Sequence, residues 1–362
     1  MTKPSRAALA AAALALTLLP LAGPARASGD HSRADRDLSW QLRETPTDTA
    51  RLRGLAPVGS RVVWASGSGG TVIRSVDGGS TWSSVGPEGT PALQFRDIEA
   101  SSADHAVVLS IGPGEDSRVY ATADGGQTWS ESFRNPDPAA FYDCMAFTSR
   151  TVGYAMSDPV DGVFRIIRTE DGGNTWEVMD SAGMPPARDG EFGFAASGTC
   201  LQSDSAGNLH LATGGVDPAR VFTSRDGGDS WSVVDTPVAG GASAGIYSVS
   251  FRGQRGVAVG GDYAVPDAAD RNAAWTADGG RTWHAPTGQG LGGYRSGSAW
   301  VNRDWGGGAV LAVGPTGSDV SRDGGRSWSA FDTGSFDSVE CVEGGPCYAS
   351  GEKGRVAVLR TR

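Results

Sequence analysis

Short runs of apolar residues, each long enough for one β-strand and separated by turn residues, recur along most of the chain. Two successive sets of three runs are Phe95–Ala100, Ala106–Ile111 and Val119–Thr122, then Phe141–Phe147, Val152–Met156 and Phe164–Thr169. No alternation of strands with helices is apparent, which argues against a dinucleotide-binding βαβ unit. The pattern predicts an all-β protein built from repeated groups of strands.

An eight-residue motif, Ser/Thr-x-Asp-Gly-Gly-x-Ser/Thr-Trp, follows each set of strands. Its six copies are Ser75–Trp82, Thr122–Trp129, Thr169–Trp176, Ser224–Trp231, Thr276–Trp283 and Ser321–Trp328. The motif aspartates lie 45 to 55 residues apart, and such a period with β-type flanks predicts the four-stranded units of a propeller. In each unit the motif connects the third strand to an outer fourth strand, which begins with the Ser/Thr-Trp pair.

Each residue type in the motif suits a tight turn. The Ser/Thr hydroxyl and the Asp carboxylate can accept hydrogen bonds from backbone N–H groups that a turn leaves unpaired. Gly-Gly permits positive φ, and the Trp ring can pack between neighbouring units. We therefore expect six structural, non-catalytic aspartates: Asp77, Asp124, Asp171, Asp226, Asp278 and Asp323.

The repeats predict seven blades. After the sixth motif, Phe336–Val342, Cys347–Ser350 and Arg355–Leu359 form a further set of three strands, and the chain ends without a fourth. Near the N-terminus, Ser39-Trp40 repeats the opening of an outer strand, and Asp35 lies five residues before that tryptophan, although the Gly-Gly pair is absent. We expect the N-terminal strand to close the last blade, because closure removes exposed sheet edges.

The N-terminal segment has the pattern of a secretory signal peptide. Lys3 and Arg6 precede the apolar run Ala7–Leu19, and Ala25-Arg26-Ala27 fits a small-x-small cleavage site. The predicted organisation is a signal peptide at 1–27, a short linker at 28–36 and the propeller at 37–362. No run approaches the roughly 20 apolar residues of a membrane span, so we expect an exported protein, secreted or in the cell envelope.

Composition limits the classes of partner. The net charge is −10, and removal of the signal peptide makes it −13, which argues against nucleic acid or an anionic membrane as the main partner. The sequence has no C-x-x-C pair, histidine cluster or Walker loop, so we expect neither a metal nor a cofactor. We expect a monomer.

The four cysteines suggest disulfides in an exported protein. Alignment of the repeats places Cys144 and Cys200 at the same position of the innermost strand in adjacent blades. Cys341 and Cys347 flank a short turn between two strands of the last blade. We expect the pairs Cys144–Cys200 and Cys341–Cys347, and the alternative is four buried thiols.

Six copies of the motif make the chain similar to Asp-box, or BNR-repeat, proteins. Seven units of this length resemble the photosystem II stability/assembly factor family and its secreted bacterial relatives, over about residues 37–362. This resemblance implies a seven-bladed propeller that acts as a binding or assembly scaffold. Asp boxes also occur in sialidases, xyloglucan-active hydrolases and sorting receptors, so the resemblance implies the fold more than the function.

A propeller places its third-to-fourth-strand turns on one face, so we expect a binding site at the channel mouth on the other face. The alignment gives equivalent positions at the start of the innermost strand to Arg53, Arg96, Arg295, Tyr142, Tyr247 and Asp337. Three converging arginines would attract a carboxylate, sulfate or phosphate group. In the alternative interpretation, the arginines pair with Asp97, Asp143 or Asp337.

Ends of the second strands add further candidates to this mouth: Asp158, Asp262, Tyr263, Glu352 and Lys353. They could supply acids and an aromatic platform, or they could be solvated loop residues. We expect a non-catalytic scaffold that holds a protein partner or an anionic or carbohydrate ligand. The alternative is a sialidase-like or xyloglucanase-like glycoside hydrolase with two catalytic carboxylates, for which the candidates are Asp97, Asp143, Asp158 and Asp262.

Overall fold

The computed structural model describes residues 38–301 and 308–361. These residues form seven antiparallel sheets arranged as the blades of a propeller, with one 3-10 turn at Gly114–Asp116. The predicted all-β, seven-bladed architecture is confirmed. The predicted signal peptide, the linker and Asp35 lie outside the described residues. Within the described ranges, no helix is long and apolar enough to cross a membrane.

Strand β1 (Leu38–Arg43) comes before the first complete blade. Blade one contains β2 (Leu52–Val58), β3 (Val62–Gly67), β4 (Val72–Ser75) and β5 (Ser83–Ser84). Blade two contains β6 (Gln94–Ala100), β7 (Ala106–Ile111), β8 (Arg118–Thr122) and β9 (Ser130–Arg134). Blade three contains β10 (Tyr142–Phe147), β11 (Gly153–Val160), β12 (Val163–Thr169) and β13 (Glu177–Val178).

Blade four contains β14 (Leu201–Ser203), β15 (Leu209–Ala212), β16 (Arg220–Ser224) and β17 (Ser232–Asp235). Blade five contains β18 (Ala244–Arg252), β19 (Arg255–Asp262) and β20 (Ala273–Thr276). Blade six contains β21 (Gly297–Trp300), β22 (Val310–Gly314), β23 (Gly317–Ser321) and β24 (Ser329–Asp332). Blade seven contains β25 (Ser338–Cys341), β26 (Cys347–Ser350), β27 (Val356–Thr361) and β1.

The last blade is closed by the N-terminal strand, as predicted. β1 pairs antiparallel with β27 in a register that runs from Leu38 opposite Thr361 to Arg43 opposite Val356. This pairing covers the edge of β27 that would otherwise be open to another chain.

Blade five departs from the predicted pattern, because its motif is not followed by an outer strand. An isolated bridge between Trp275 and His284 stands in its place. Pro286 comes two residues after His284, and proline has no backbone N–H to extend the ladder. The expectation of an outer strand after every motif is therefore wrong for this blade.

Each motif forms a closed turn. In the first copy, the Gly79 N–H donates to Ser75 Oγ at 2.8 Å, the Thr81 N–H donates to Asp77 Oδ1 at 2.9 Å, and Thr81 Oγ1 donates to Asp77 Oδ2 at 2.6 Å. Gly78 and Gly79 have φ of 76° and 82°, which favours glycine. The Thr81 hydrogen bonds lower the pKa of Asp77 to about 2. The same bonds recur in the other five copies, which fits a turn-forming aspartate.

Motif tryptophans pack between their own blade and the preceding one. Trp129 meets Trp64 edge-on, with 6.4 Å between ring centroids, and its Nε1 donates to the Val85 carbonyl of blade one at 2.7 Å. Trp328 is packed against Val257 of blade five. Trp40 of β1 occupies the corresponding place between blades six and seven. These rings fill the core between neighbouring sheets.

Both predicted disulfides are confirmed, and the alternative of four buried thiols is wrong. Cys144–Cys200 joins β10 to the residue before β14 and so links blades three and four. Cys341–Cys347 closes the hairpin between β25 and β26.

Candidate functional site

A cavity of about 660 Å³ lies at the end of the channel opposite the motif turns. The innermost strands begin and the second strands end on this face, so side chains from these two positions converge there. Blades one to six all contribute to the lining. This cavity is called the mouth below.

β-Bulges direct four side chains into the mouth. In β2, β6, β10 and β18 the register with the second strand shifts by one residue near the start of the strand. The extra residue of a bulge is unpaired, and its side chain is re-aimed. All four of these residues line the mouth: Arg53, Arg96, Asp143 and Tyr247.

Arg295 is not equivalent to Arg53, because the predicted alignment is wrong by one residue in blade six. The backbone N–H groups of Leu52 and Arg295 both donate to a carbonyl near the end of the second strand of the preceding blade, at 2.9 Å. Arg295 therefore occupies the position of Leu52, and Ser296 corresponds to Arg53. The Arg295 side chain is buried, with Nε donating to Asp319 Oδ2 at 2.6 Å.

Tyr142 is also one residue out of place in the predicted alignment. The bulge residue of β10 is Asp143. Tyr142 is instead buried in the core between blades two and three, with its ring 5.4 Å from that of Phe133. The structure therefore does not bring Tyr142 to the mouth.

Three guanidinium groups form one side of the mouth. Arg51 makes two hydrogen bonds to Asp337, at 2.8 and 2.6 Å, and Arg53 Nε lies 3.8 Å from the same carboxylate. Nη1 of Arg53 and Nη1 of Arg96 both donate to the Ala195 carbonyl, at 3.3 and 2.8 Å. Within the described ranges Arg96 forms no ion pair. The alternative, in which each predicted arginine pairs with Asp97, Asp143 or Asp337, thus fits only Arg53, and weakly. Arg295 pairs with Asp319 instead.

These arginines remain charged at neutral pH. Burial, together with the nearby Arg53 charge, lowers the pKa of Arg96 to about 10. Burial also lowers the pKa of Arg53, against the Asp337 charge, which raises it. Desolvated charges without a full partner attract an anion more strongly than solvated ones do.

An acid pair faces the arginines from blade three. Burial and the neighbouring Asp158 charge raise the pKa of Asp143 well above its ordinary value. Burial also raises the pKa of Asp158, to about 6. The hydrogen bond that Asp158 Oδ1 accepts from the Gly193 N–H, at 2.8 Å, has the smaller, opposite effect on this pKa. Both carboxyl groups therefore hold a proton more readily than an ordinary aspartate, and the neighbouring Asp158 charge favours the protonated form of Asp143. Among the acids near the three arginines, Asp337 is the one that pairs with them, through Arg51 and Arg53.

Aromatic side chains form the opposite side. The rings of Phe194 and Tyr247 stack with 4.0 Å between centroids, and Tyr294 meets Tyr247 edge-on at 4.7 Å. The Tyr247 hydroxyl donates to the Ser243 carbonyl at 2.8 Å. Tyr263 lies at the rim with 54% of its surface exposed.

The remaining predicted residues do not line the mouth. Asp97 is buried and accepts hydrogen bonds from the Ile98 and Met145 N–H groups, so it links blades two and three. Asp262 accepts from the Ala264 N–H in a turn. Glu352 and Lys353 lie in the turn between β26 and β27.

Sequence reasoning missed Arg51 and the segment Phe192–Ala196, which lies across the mouth. The segment precedes β14 and has no strand pattern that alignment with the other blades could place. One signal was present in the sequence. The motif spacing from Asp171 to Asp226 is the longest of the five, which indicates extra chain in blade four. Within the described ranges, no group of three or more His, Cys, Asp or Glu could hold a metal ion.

No protein-family model matches the sequence. A comparison with curated proteins also finds no match.

Solved structures share the fold over most of the chain. YCF48 bound to D1 peptide is 17% identical with a TM-score of 0.62, and covers 89% of this chain and 95% of its own. YCF48 from Cyanidioschyzon merolae is 17% identical with a TM-score of 0.56, and covers 90% and 99%. A chain of the mitotic checkpoint complex is 13% identical with a TM-score of 0.60, and covers 96% and 99%. At these identities the comparisons show a shared fold.

Proposed function

We propose that this propeller is a non-catalytic binding or assembly scaffold that holds a protein partner at the mouth through an anionic group of that partner. One observation carries the proposal: Arg53 and Arg96 converge on the neutral Ala195 carbonyl, and Arg96 has no carboxylate partner in the described part of the chain. A ligand carboxylate would give these guanidinium groups the charge-assisted hydrogen bonds that the carbonyl cannot give.

The shared fold is compatible with this role. One YCF48 structure contains a D1 peptide, and another propeller of this fold belongs to a checkpoint complex. Propellers host many functions, so the mouth of this chain, and not the fold, supports the proposal.

We place this function outside the cytoplasm, because residues 1–27 have the pattern of a signal peptide. N-terminal sequencing of the protein recovered from its native host tests this location. A mature N-terminus near Ser28 is expected, and retention of residues 1–27 would contradict the location and leave the binding role open.

Binding of an acidic peptide tests the role of the arginines. The probe is hexaglutamate, with hexaglutamine as the uncharged control, followed by isothermal titration calorimetry. Arg96→Gln should weaken hexaglutamate binding about tenfold, since one charge-assisted hydrogen bond is lost. Its melting temperature should be unchanged. Arg252→Gln is the matched control, because Arg252 is exposed at the end of β18 on the motif face. Equal losses in both variants, or no binding by the native protein, would contradict the proposal.

The geometry gives less support to the glycoside hydrolase alternative. Asp143 and Asp158 line the mouth, but burial raises the pKa of both carboxyl groups, and the Asp158 charge raises that of Asp143 further above its ordinary value. Retaining glycosidases place their two carboxyl groups about 5 Å apart, and inverting enzymes place them farther apart. Turnover of sialosides or β-glucans that is abolished by Asp143→Asn would overturn the binding role.

A further inference from the structure

One rim of the mouth is an apolar lip formed by Phe192, Phe194, Tyr263 and Pro266, and Val265 lies in the same loop as Tyr263 and Pro266. Tyr263 and Val265 are 54% and 55% exposed. Within the described ranges they are two of five large apolar side chains with such exposure, and they are two residues apart in one loop. Exposed apolar residues that cluster beside a cavity indicate a contact surface for another molecule.

The lip is held in place by its own packing. The Phe192 and Phe194 rings meet edge-on at 4.9 Å, Phe194 stacks on Tyr247, and Tyr263 meets Phe194 edge-on at 6.4 Å. A bridge between Phe192 and Gly214 fixes the backbone of the same segment. The apolar surface is thus ordered before a ligand binds, which reduces the entropic cost of binding.

The apolar lip and the arginines meet at the segment Phe192–Ala196. Phe194 precedes Ala195, whose carbonyl accepts hydrogen bonds from Arg53 and Arg96. A ligand that replaced this carbonyl with a carboxylate oxygen would therefore lie beside the lip. Neighbouring residues of an extended peptide are separated by about 3.3 Å along the chain, so one peptide can engage both sides.

We infer that the mouth binds an extended peptide segment in which an acidic side chain is adjacent to an aromatic or large aliphatic one. This inference rests on the proposed function and names the class of partner. The arginines bind the carboxylate, and the lip takes the apolar side chain. The specificity of the site therefore depends on two neighbouring residues of the partner.

The chemistry of the mouth favours a peptide over an anionic sugar. A sugar ring needs several free donors and acceptors for its hydroxyl groups. The Tyr247 hydroxyl already donates to the Ser243 carbonyl, and Asp158 already accepts from the Gly193 N–H. Val265 and Pro266 add carbon surface with no side-chain hydrogen-bonding group.

The inference is tested with acetylated and amidated hexapeptides, so that no terminal charge contributes. The probe is Gly-Gly-Phe-Asp-Gly-Gly, compared with the peptides in which Phe is replaced by Ala or Asp by Asn. Affinity is measured by calorimetry at pH 7.5. Each replacement should weaken binding about tenfold or more, because each removes one of the two contacts.

Variants of the protein assign each contact to a side chain. Tyr263→Ala should lower the affinity for the Phe-Asp peptide about tenfold and leave that for the Ala-Asp peptide unchanged, whereas Arg96→Gln should lower both. Leu42→Ala is the matched control, since Leu42 is 59% exposed in β1, and it should change neither.

The outcomes separate this inference from the proposed function. Equal, Arg96-dependent binding of the Phe-Asp and Ala-Asp peptides would overturn the inference and retain the anion-binding mouth. Absence of binding by every peptide, or binding that Arg96→Gln does not affect, would overturn both. Tighter binding of an oligogalacturonate, with dependence on Arg96 and Tyr263, would replace the peptide with a sugar and so overturn the inference.

Discussion

At the scale of single residues, one backbone step separates an arginine that faces the mouth from one that is buried. Side chains alternate between the two faces of a strand, so Arg295 points between blades while Arg53 points to the mouth. Arg295 pairs with Asp319 where both side chains are about 2% exposed. Arg96 has a partly exposed side chain and no ion pair in the described chain.

This difference predicts opposite consequences of removing the two charges. Arg295→Met should destabilise the fold by about 3–5 kcal/mol, because Asp319 is left buried without its partner. Arg96→Met should change the free energy of unfolding by less than about 1 kcal/mol. Urea unfolding monitored by tryptophan fluorescence measures both. If the two variants had equal stability, the Arg295–Asp319 pair would not be a structural contact.

Part of the mouth was predictable at this scale. Arg53, Arg96, Tyr247 and Tyr263 follow from the position of each repeat, because the motif fixes where each blade begins. In blades three and six the alignment was wrong by one residue, since their innermost strands are buried on both faces and a continuous apolar run does not mark the register. The contacts of Phe192–Ala196 could not be predicted from the sequence, because this segment has no strand periodicity that alignment with the other blades could place.

At the scale of the element, the motif turn and its tryptophan act together to join blades. Trp328→Ala should cost about 3–5 kcal/mol, because a 2% exposed ring between blades five and six would leave a cavity. Trp82→Ala is the comparison. The Trp82 ring is only half-buried, so this substitution should lower the free energy of unfolding by less. Unfolding midpoints in urea measure both. An equal loss of stability in the two variants would mean that burial of the ring does not determine how much each tryptophan stabilises the fold.

The two disulfides differ in the length of chain that they enclose. The Cys144–Cys200 sequence separation is 56 residues, and that of Cys341–Cys347 is 6. Loop-closure entropy grows with length, so replacing the first pair by serines should cost about 4 kcal/mol and the second about 2 kcal/mol. Differential scanning calorimetry of the two double variants tests the order. A larger loss from the hairpin pair would show that local strain or packing outweighs chain entropy.

Element order was predictable because the same local turn recurs at a regular spacing. The blade count and the N-terminal closure needed only the six motifs and Ser39-Trp40. The missing outer strand of blade five depends on Pro286, whose effect on one ladder is local and does not change the repeat count.

At the scale of the whole molecule, charge is separated along the channel. The arginines lie at the mouth, and three acids, Asp97, Glu99 and Glu340, line a smaller cavity near the motif face. Burial raises the pKa of Glu99 to about 8. Burial, with the added Glu99 charge, also raises the pKa of Glu340 to about 8. The channel thus has a positive end and an end where Glu99 and Glu340 are largely protonated at neutral pH.

This arrangement predicts that stability falls as pH rises above about 5. An acid whose pKa is raised on folding binds more protons in the folded state, so its contribution is lost between its ordinary pKa of 4.5 and the folded value of about 8. The motif aspartates act in the opposite direction, since the pKa of Asp77 is lowered to about 2 and its contribution is lost below about pH 4. The free energy of unfolding should therefore be highest at about pH 4–5.

Replacing the two glutamates tests which groups cause the decline. The double variant Glu99→Gln/Glu340→Gln should melt at a higher temperature than the native protein at pH 8, and at a similar temperature at pH 5, where the native glutamates are protonated. Its melting temperature should fall less steeply from pH 5 to pH 8. The remaining slope comes from other buried acids whose pKa values are raised, including Asp97, Asp143 and Asp158. Glu177→Gln, at an exposed position of β13, is the control and should keep the native profile. Melting curves at half-unit steps of pH measure the effect, and a double variant with the native slope would show that these two acids do not set the pH dependence.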